Sequence, residues 1–149
     1  MTQLTANYST TIAASAETVY GILADYAGAH RKILPPDTFL ALNVTKGGHG
    51  AGTELDVRTR ILGKEQMLHM IVSAPEPGRT LMETDITTGL ATTFTVTATS
   101  ESTCNVAIKT VWESQKGFTG LLEGLLVPGA LRRIYRKQLE MMQEMVASV

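Results

Sequence analysis

Three groups that can exchange protons lie close together in the sequence. They are Asp25, Tyr26 and His30, at the end of a short predicted helix. A carboxyl group, a phenol and an imidazole can serve as general acids or bases if the fold turns them inward and shifts their pKa values. This segment is therefore the first candidate for a site that carries chemistry.

Glu83 is a further candidate, and its direction depends on the length of the next turn. A three-residue turn at residues 87–89 points its side chain to solvent. An even-numbered turn points it inward beside Thr92, because strand side chains alternate between the two faces of a sheet. We favour the solvent-facing interpretation. If Glu83 faced inward, loss of hydration would raise its pKa and make it a candidate base.

The spacing of other reactive residues does not support metal, thiol or phosphate chemistry. The three histidines, His30, His49 and His69, are too dispersed for a metal-ligand motif. The single cysteine, Cys104, begins an apolar strand face, which predicts a buried and inert thiol. The glycine-rich run at residues 47–52 lacks the lysine and hydroxyl of a phosphate loop and precedes a strand. We expect no metal and no cofactor, and interpret this run as a mobile loop.

Composition excludes several classes of protein. The 149 residues include 13 basic and 14 acidic side chains, for a net charge of −1. Without a basic excess, binding to nucleic acid is not expected. No apolar run is long enough to cross a bilayer and no export signal is visible, so we predict a cytoplasmic protein without stable membrane insertion. No linker or repeat divides the chain, so one domain is expected over residues 1–149.

Alternating apolar and polar residues, joined by short turns, predict an antiparallel sheet of about seven strands. The hairpin with its tip at residues 62–63 is the most specific part. One register pairs Leu55 with Met70 and Arg60 with Glu65, so an apolar face and a charge-paired face form together. The same register pairs Val57 with Leu68 and Asp56 with His69. The predicted strands with defined bounds are residues 8–13, 39–46, 53–61, 79–86, 90–99 and 104–112.

Helical periodicity is found on both sides of the main run of strands. Ser15 is the predicted N-cap of a short helix that Gly28 closes, and a second short turn follows at residues 29–34. A long amphipathic helix begins at Thr119, with a kink or break expected at Pro128. We interpret its basic turn as a solvated face in preference to a contact with anionic lipid. The cations of this turn are Arg132, Arg133, Arg136 and Lys137.

This order of elements resembles the START-related helix-grip superfamily, specifically its polyketide cyclase/dehydrase-like branch. The local phrases that carry the resemblance are residues 12–20 (IAASAETVY), 77–81 (PGRTL) and 131–142. It extends over residues 8–146 and implies an α+β fold. In that fold a curved antiparallel sheet wraps around the long C-terminal helix, and two short helices follow the first strand.

The resemblance implies a deep cavity between the sheet and the last helix that takes up an apolar small molecule, such as a lipid, sterol or polyketide. We expect the mobile loop at residues 47–52 to lie at the mouth of this cavity. Two alternatives stay open. One is a polyketide cyclase or dehydratase-type enzyme that uses an inward acid or base, and the other is an interaction module, including a homodimer, with a closed cavity. The candidate ligand-binding residues are Tyr26, His30, Met70, Thr92, Phe94, Trp112, Leu131, Tyr135 and Leu139.

Overall fold

A seven-stranded antiparallel sheet packs against one long helix in the computed structural model, which describes residues 2–114 and 117–148. The sheet order is β1-β7-β6-β5-β4-β3-β2. This arrangement confirms the predicted α+β fold class. The elements are β1 (Gln3–Ile12), α1 (Ala16–Ala24), α2 (Ala29–Lys32), β2 (Phe39–Lys46), β3 (Glu54–Ile61), β4 (Lys64–Ser73), β5 (Thr80–Asp85), β6 (Ala91–Ala98), β7 (Cys104–Glu113) and α3 (Phe118–Ala147).

The strands β2 to β7 follow one another as hairpins, whereas β1 pairs with the last strand. Gln3 lies opposite Glu113 and Ile12 opposite Cys104, so β1 begins well before the predicted start at residue 8. The alternation in residues 3–7 is weak in the sequence, and pairing with β7 imposes the extended backbone there. The two short helices connect β1 at one edge of the sheet to β2 at the other.

The β3–β4 hairpin has the predicted register. Leu55 pairs with Met70, and Arg60 pairs with Glu65, whose side chains form a 2.7 Å hydrogen bond on the solvent face. At the tip, Leu62 has φ 52° and Gly63 has φ 78°. Positive φ at both central residues is the geometry of a type I′ turn, whose twist matches that of the flanking strands.

The first helix ends earlier than predicted, at Ala24 and not near Gly28. Its N-cap is as expected, since the Ser15 hydroxyl accepts a hydrogen bond from the Thr18 N–H. Asp25 starts a new turn, because its carboxylate accepts a 2.9 Å hydrogen bond from the Ala29 N–H. Asp25 is the C-cap of α1, and its side chain links the end of that helix to Ala29, the first residue of α2.

The last helix is continuous through Pro128, so the expected break is not found. Proline removes one backbone donor at a cost of about 3 kcal/mol. The apolar stripe beyond Pro128 offsets this cost by packing on the sheet. Its buried apolar members are Leu131, Tyr135, Leu139 and Met142.

The hairpin tip yields a test of the turn geometry. Gly63→Ala should lower the free energy of unfolding by about 1 kcal/mol, because a Cβ disfavours the positive φ of this position. Gly21→Ala is the matched control, since Gly21 lies inside α1 with nothing within 4 Å of an added Cβ, and alanine is the better helix former. Urea unfolding measures both changes. A Gly63→Ala protein as stable as the parent would contradict the turn.

Candidate functional site

A cavity of about 720 Å³ lies between the inner face of the sheet and α3. Aliphatic and aromatic side chains form most of its wall, with a few polar groups among them. Tyr26 and Leu139 are buried but do not line it. The structure brings the other candidate residues together on the cavity wall, namely His30, Met70, Thr92, Phe94, Trp112, Leu131 and Tyr135.

A row of polar side chains crosses the floor of this cavity. Glu83 on β5 pairs with Thr92 on β6, and Thr92 pairs with Thr110 on β7. Cross-strand partners share a face, so all three side chains point toward α3. The Thr92 and Thr110 hydroxyl oxygens are 2.7 Å apart, and Thr110 also hydrogen-bonds the Tyr135 hydroxyl from α3. The cavity therefore has a continuous polar stripe across its floor, in a wall that is mostly apolar.

Glu83 faces inward, so the favoured solvent-facing interpretation was wrong. Its side chain is only 13% exposed. The Asp85 N–H donates to the Leu90 carbonyl, which leaves a four-residue turn at 86–89. Asp85 lengthens the turn because its carboxylate accepts hydrogen bonds from the N–H and hydroxyl of Thr88. The even length places Glu83 inside, and the Asp-x-x-Thr spacing was the available sequence signal.

Tyr26 and His30 converge on the Glu83 carboxyl group. The Tyr26 hydroxyl donates a 2.8 Å hydrogen bond to Glu83 Oε2, and His30 Nε2 is 3.7 Å from the same oxygen. The two rings stack with centroids 4.4 Å apart. His30 Nδ1 is 2.7 Å from the Leu23 carbonyl, which can only accept, so Nδ1 carries the hydrogen. In neutral His30 the bare Nε2 then faces Glu83.

Burial sets the protonation states of this cluster. Loss of hydration raises the pKa of Glu83 to about 7, although the Tyr26 hydrogen bond acts in the opposite direction. Loss of hydration also lowers the pKa of His30 to about 4, so the imidazole is neutral at physiological pH and its contact with Glu83 is not an ion pair. Burial, followed by the nearby Glu83 charge, raises the pKa of Tyr26. Glu83 can therefore give or take a proton near neutral pH.

The cavity opens between the β3–β4 turn and the first half of α3. Three large apolar residues that line it are also exposed to solvent: Leu62 at 57%, Leu122 at 41% and Leu126 at 54%. Trp112 fixes one side of this mouth, since its indole N–H donates a 2.9 Å hydrogen bond to Glu123 Oε2. An apolar ligand entering here would first meet exposed leucine side chains.

The glycine-rich run at residues 47–52 does not line the cavity. Its backbone instead hydrogen-bonds to the segment joining α1 and α2, where the Gly50 N–H donates to the Ala24 carbonyl and the Ala27 N–H donates to the Gly48 carbonyl. The expectation of a loop at the cavity mouth was therefore wrong. The run instead supports the backbone from which Tyr26 and His30 project.

The described part of the chain holds neither a metal-ligand cluster nor a membrane-spanning helix. No group of three or more histidine, cysteine, aspartate or glutamate side chains there could hold a metal ion. Within residues 2–114 and 117–148, no helix has the length and hydropathy needed to cross a bilayer. Cys104 is buried.

Comparison with known proteins gives a family match over nearly the whole sequence. The model of a family described as polyketide cyclase/dehydrase and lipid transport matches residues 3–147. No curated protein matches significantly. Similar solved structures include KanY protein, with 27% identity, 99% of each chain covered and a TM-score of 0.84.

Two more distant structures share the fold. A START superfamily protein from Mycobacterium smegmatis has 14% identity, 97% of each chain covered and a TM-score of 0.76. The Zhui aromatase/cyclase from Streptomyces sp. R1128 has 16% identity, with 96% of this chain and 90% of that chain covered and a TM-score of 0.65. With the family match, they confirm the superfamily resemblance drawn from the sequence.

The buried carboxyl group makes stability depend on pH. Glu83 has a higher pKa folded, about 7, than the ordinary 4.5. Between these two pH values, Glu83 therefore keeps its proton in the folded protein and loses it in the unfolded chain. This contribution to stability, roughly 3 kcal/mol, is complete below pH 4.5 and lost as pH rises through 7.

Glu83→Gln should remove that dependence. The free energy of unfolding of the parent minus that of the variant should be larger at pH 5 than at pH 8, as measured by chemical denaturation. His30 acts oppositely, since its lowered pKa costs stability as pH falls below 6.5, but it is present in both proteins. An equal difference at both pH values would contradict a buried, ionisable Glu83.

Proposed function

Because the chain belongs to the polyketide cyclase/dehydrase and lipid transport family, we propose that it binds an apolar small molecule, such as a lipid, sterol or polyketide, in the cavity between the sheet and α3. The observation that carries the proposal is a cavity of about 720 Å³ with a mostly apolar wall and a polar stripe across its floor. Volumes of this order are typical of small-molecule sites.

Removal of apolar ligand surface from water supplies most of the binding free energy in this proposal. The polar stripe supplies orientation. A hydroxyl or carbonyl group on the ligand would meet Glu83, Thr92 or Tyr135. These side chains already hydrogen-bond to protein partners, so the stripe can orient a polar ligand group and does not require one.

The candidate residues divide into two sets, one that supports the cavity wall and one that touches the ligand in this proposal. Tyr26 and Leu139 act from behind the wall, where Tyr26 holds Glu83 by a hydrogen bond and Leu139 packs α3 on the sheet. An exposed mouth at Leu126 gives no support to an interaction module with a closed cavity. The residues proposed to touch the ligand are His30, Met70, Thr92, Phe94, Trp112, Leu131 and Tyr135.

Two adjacent leucines on α3 test the proposed binding site. Leu126 lines the cavity mouth, whereas Leu125 is 69% exposed and does not line it. Leu126→Glu should weaken binding of a neutral apolar probe, phenylnaphthylamine, by about tenfold, because the ligand would cover a charged group in place of apolar surface. Leu125→Glu should leave the affinity within about twofold.

Fluorescence titration of phenylnaphthylamine measures these affinities. Both substitutions place the same charge on an exposed helix face, so differences in net charge and folding cancel. Equal affinities for the two variants, or no binding by the parent, would contradict the proposed site.

A second candidate function is supported by the inward carboxyl group. Glu83, with a pKa of about 7, can act as general base and then as general acid in one turnover. For a poly-β-ketone, its carboxylate would remove a proton from a carbon between two carbonyls. That carbon would bond to a distant carbonyl carbon, and the new alkoxide would take the proton back. Tyr135 and Thr92 could donate hydrogen bonds to the developing oxyanion.

Ring closure of a poly-β-ketone thioester tests this candidate. Glu83→Gln should reduce turnover by about 10²- to 10⁴-fold while the affinity for phenylnaphthylamine stays within about threefold, because the amide keeps the volume but cannot move the proton. Glu113→Gln, an exposed carboxyl group at the cavity rim, is the control. Turnover unaffected by Glu83→Gln would exclude Glu83 as the acid–base group.

A further inference from the structure

A second, smaller cleft of about 280 Å³ lies on the outer surface beside the cavity mouth. Its walls come from three places in the chain. The α2–β2 loop contributes Pro35 and Thr38, the β3–β4 hairpin contributes residues 60–62, and the middle of α3 contributes the remaining wall. No motif in the sequence joins these segments, and the tertiary structure alone brings them together.

Positive charge dominates this cleft. Arg60, Arg133 and Lys137 line it, and Asp37 is the one carboxylate among its described lining residues. Arg60 shares one N–H with Glu65 at 2.7 Å. Neither Arg133 nor Lys137 makes an ion pair with any residue in the described ranges. The cleft therefore presents a net excess of hydrogen-bond donors and positive charge to solvent.

Helical spacing separates the four cations of α3 into two pairs. Ala130, Arg133, Ile134 and Lys137 follow the i, i+3, i+4, i+7 pattern and form one face, which lines the cleft. Arg132 and Arg136 lie on the opposite face of the same two turns and do not line it. Arg136 is instead near Glu140, with 3.9 Å between Nε and Oε1.

The cleft and the cavity share a wall. Ile61, Leu62 and Ile134 line both. A group held by the cations of the cleft would lie one side chain away from the apolar interior. An apolar chain attached to that group could pass over Leu62 into the cavity mouth.

We propose that the cleft binds the anionic head group, a carboxylate or phosphate, of an amphiphile whose apolar tail occupies the cavity. This inference rests on the proposed function. Arg60 and Arg133 offer planar guanidinium groups suited to bidentate contacts with carboxylate or phosphate, and Lys137 adds a point charge. The apolar side chains of the shared wall keep the start of the tail out of water.

Two ligands with the same tail test the proposal. Dodecanol and dodecyl phosphate differ only in the head group, and their affinities are measured by displacement of phenylnaphthylamine. Dodecyl phosphate should bind at least tenfold more tightly than dodecanol at low salt, and the advantage should shrink at high salt. Equal affinities at low salt would overturn the proposal. Failure of dodecanol to bind at all would instead overturn the proposed function.

Matched double variants of α3 locate the head group. Arg133→Gln with Lys137→Gln should remove most of the advantage of dodecyl phosphate and leave dodecanol binding unchanged. Arg132→Gln with Arg136→Gln removes the same charge from the opposite face and should keep the advantage. Equal losses in the two double variants would show a general effect of net charge and overturn the proposed cleft.

Inorganic phosphate separates a head-group site from an independent anion site. It should compete with dodecyl phosphate and leave dodecanol binding unchanged, because only the phosphorylated ligand occupies the cleft. Competition against dodecanol would place the anion inside the cavity and overturn the proposal. A lack of any competition with dodecyl phosphate, even at high concentration, would also count against it.

Discussion

The two halves of α3 pack differently on the sheet, and the opening of the candidate site depends on this difference. Beyond Pro128 the stripe from Leu131 to Met142 is buried, and Leu131 and Tyr135 in it also line the cavity. Before Pro128, Leu122 and Leu126 line the cavity and remain exposed to solvent. A helix packed tightly along its whole length would close this opening with side chains. The mouth of the cavity exists because only the second half of α3 is buried on the sheet.

Inside the cavity, burial controls the chemistry of the polar groups. A carboxylate removed from water is costly unless it is partnered, and Glu83 has one hydrogen bond, from Tyr26, together with a raised pKa. The same loss of hydration keeps His30 neutral beside it. The interior therefore offers a proton that can move near pH 7 without a fixed ion pair. Such an interior is compatible with an apolar ligand and can still hydrogen-bond to one polar group of that ligand.

Charge is distributed differently outside the cavity. The polar groups inside the cavity carry little net charge. The cleft beside the cavity mouth, in contrast, is cationic through Arg60, Arg133 and Lys137. The protein as a whole has a net charge of −1, so this local excess is invisible in the composition. In the proposed binding site, this distribution of charge would select ligands by the groups at their two ends.

Local patterns in the sequence determined the elements and their faces. The period of two predicted the β3–β4 register, the period near four predicted the stripe of α3, and Ser15 marked the start of α1. These features depend on neighbours along the chain or across one turn. Seven of the nine candidate ligand-binding residues lie on the cavity wall for the same reason.

Only the tertiary structure decided which groups meet. The inward direction of Glu83 follows from a local turn with an Asp-x-x-Thr signal, but nothing in the local sequence specifies which side chains it meets inside. Its contacts with Tyr26 and His30 join segments more than fifty residues apart. Two of the α3 cations line the cleft and two do not, because the β3–β4 hairpin packs beside only one face of the helix. Such contacts arise from packing in three dimensions, and the periodicity of residues along the chain does not predict them.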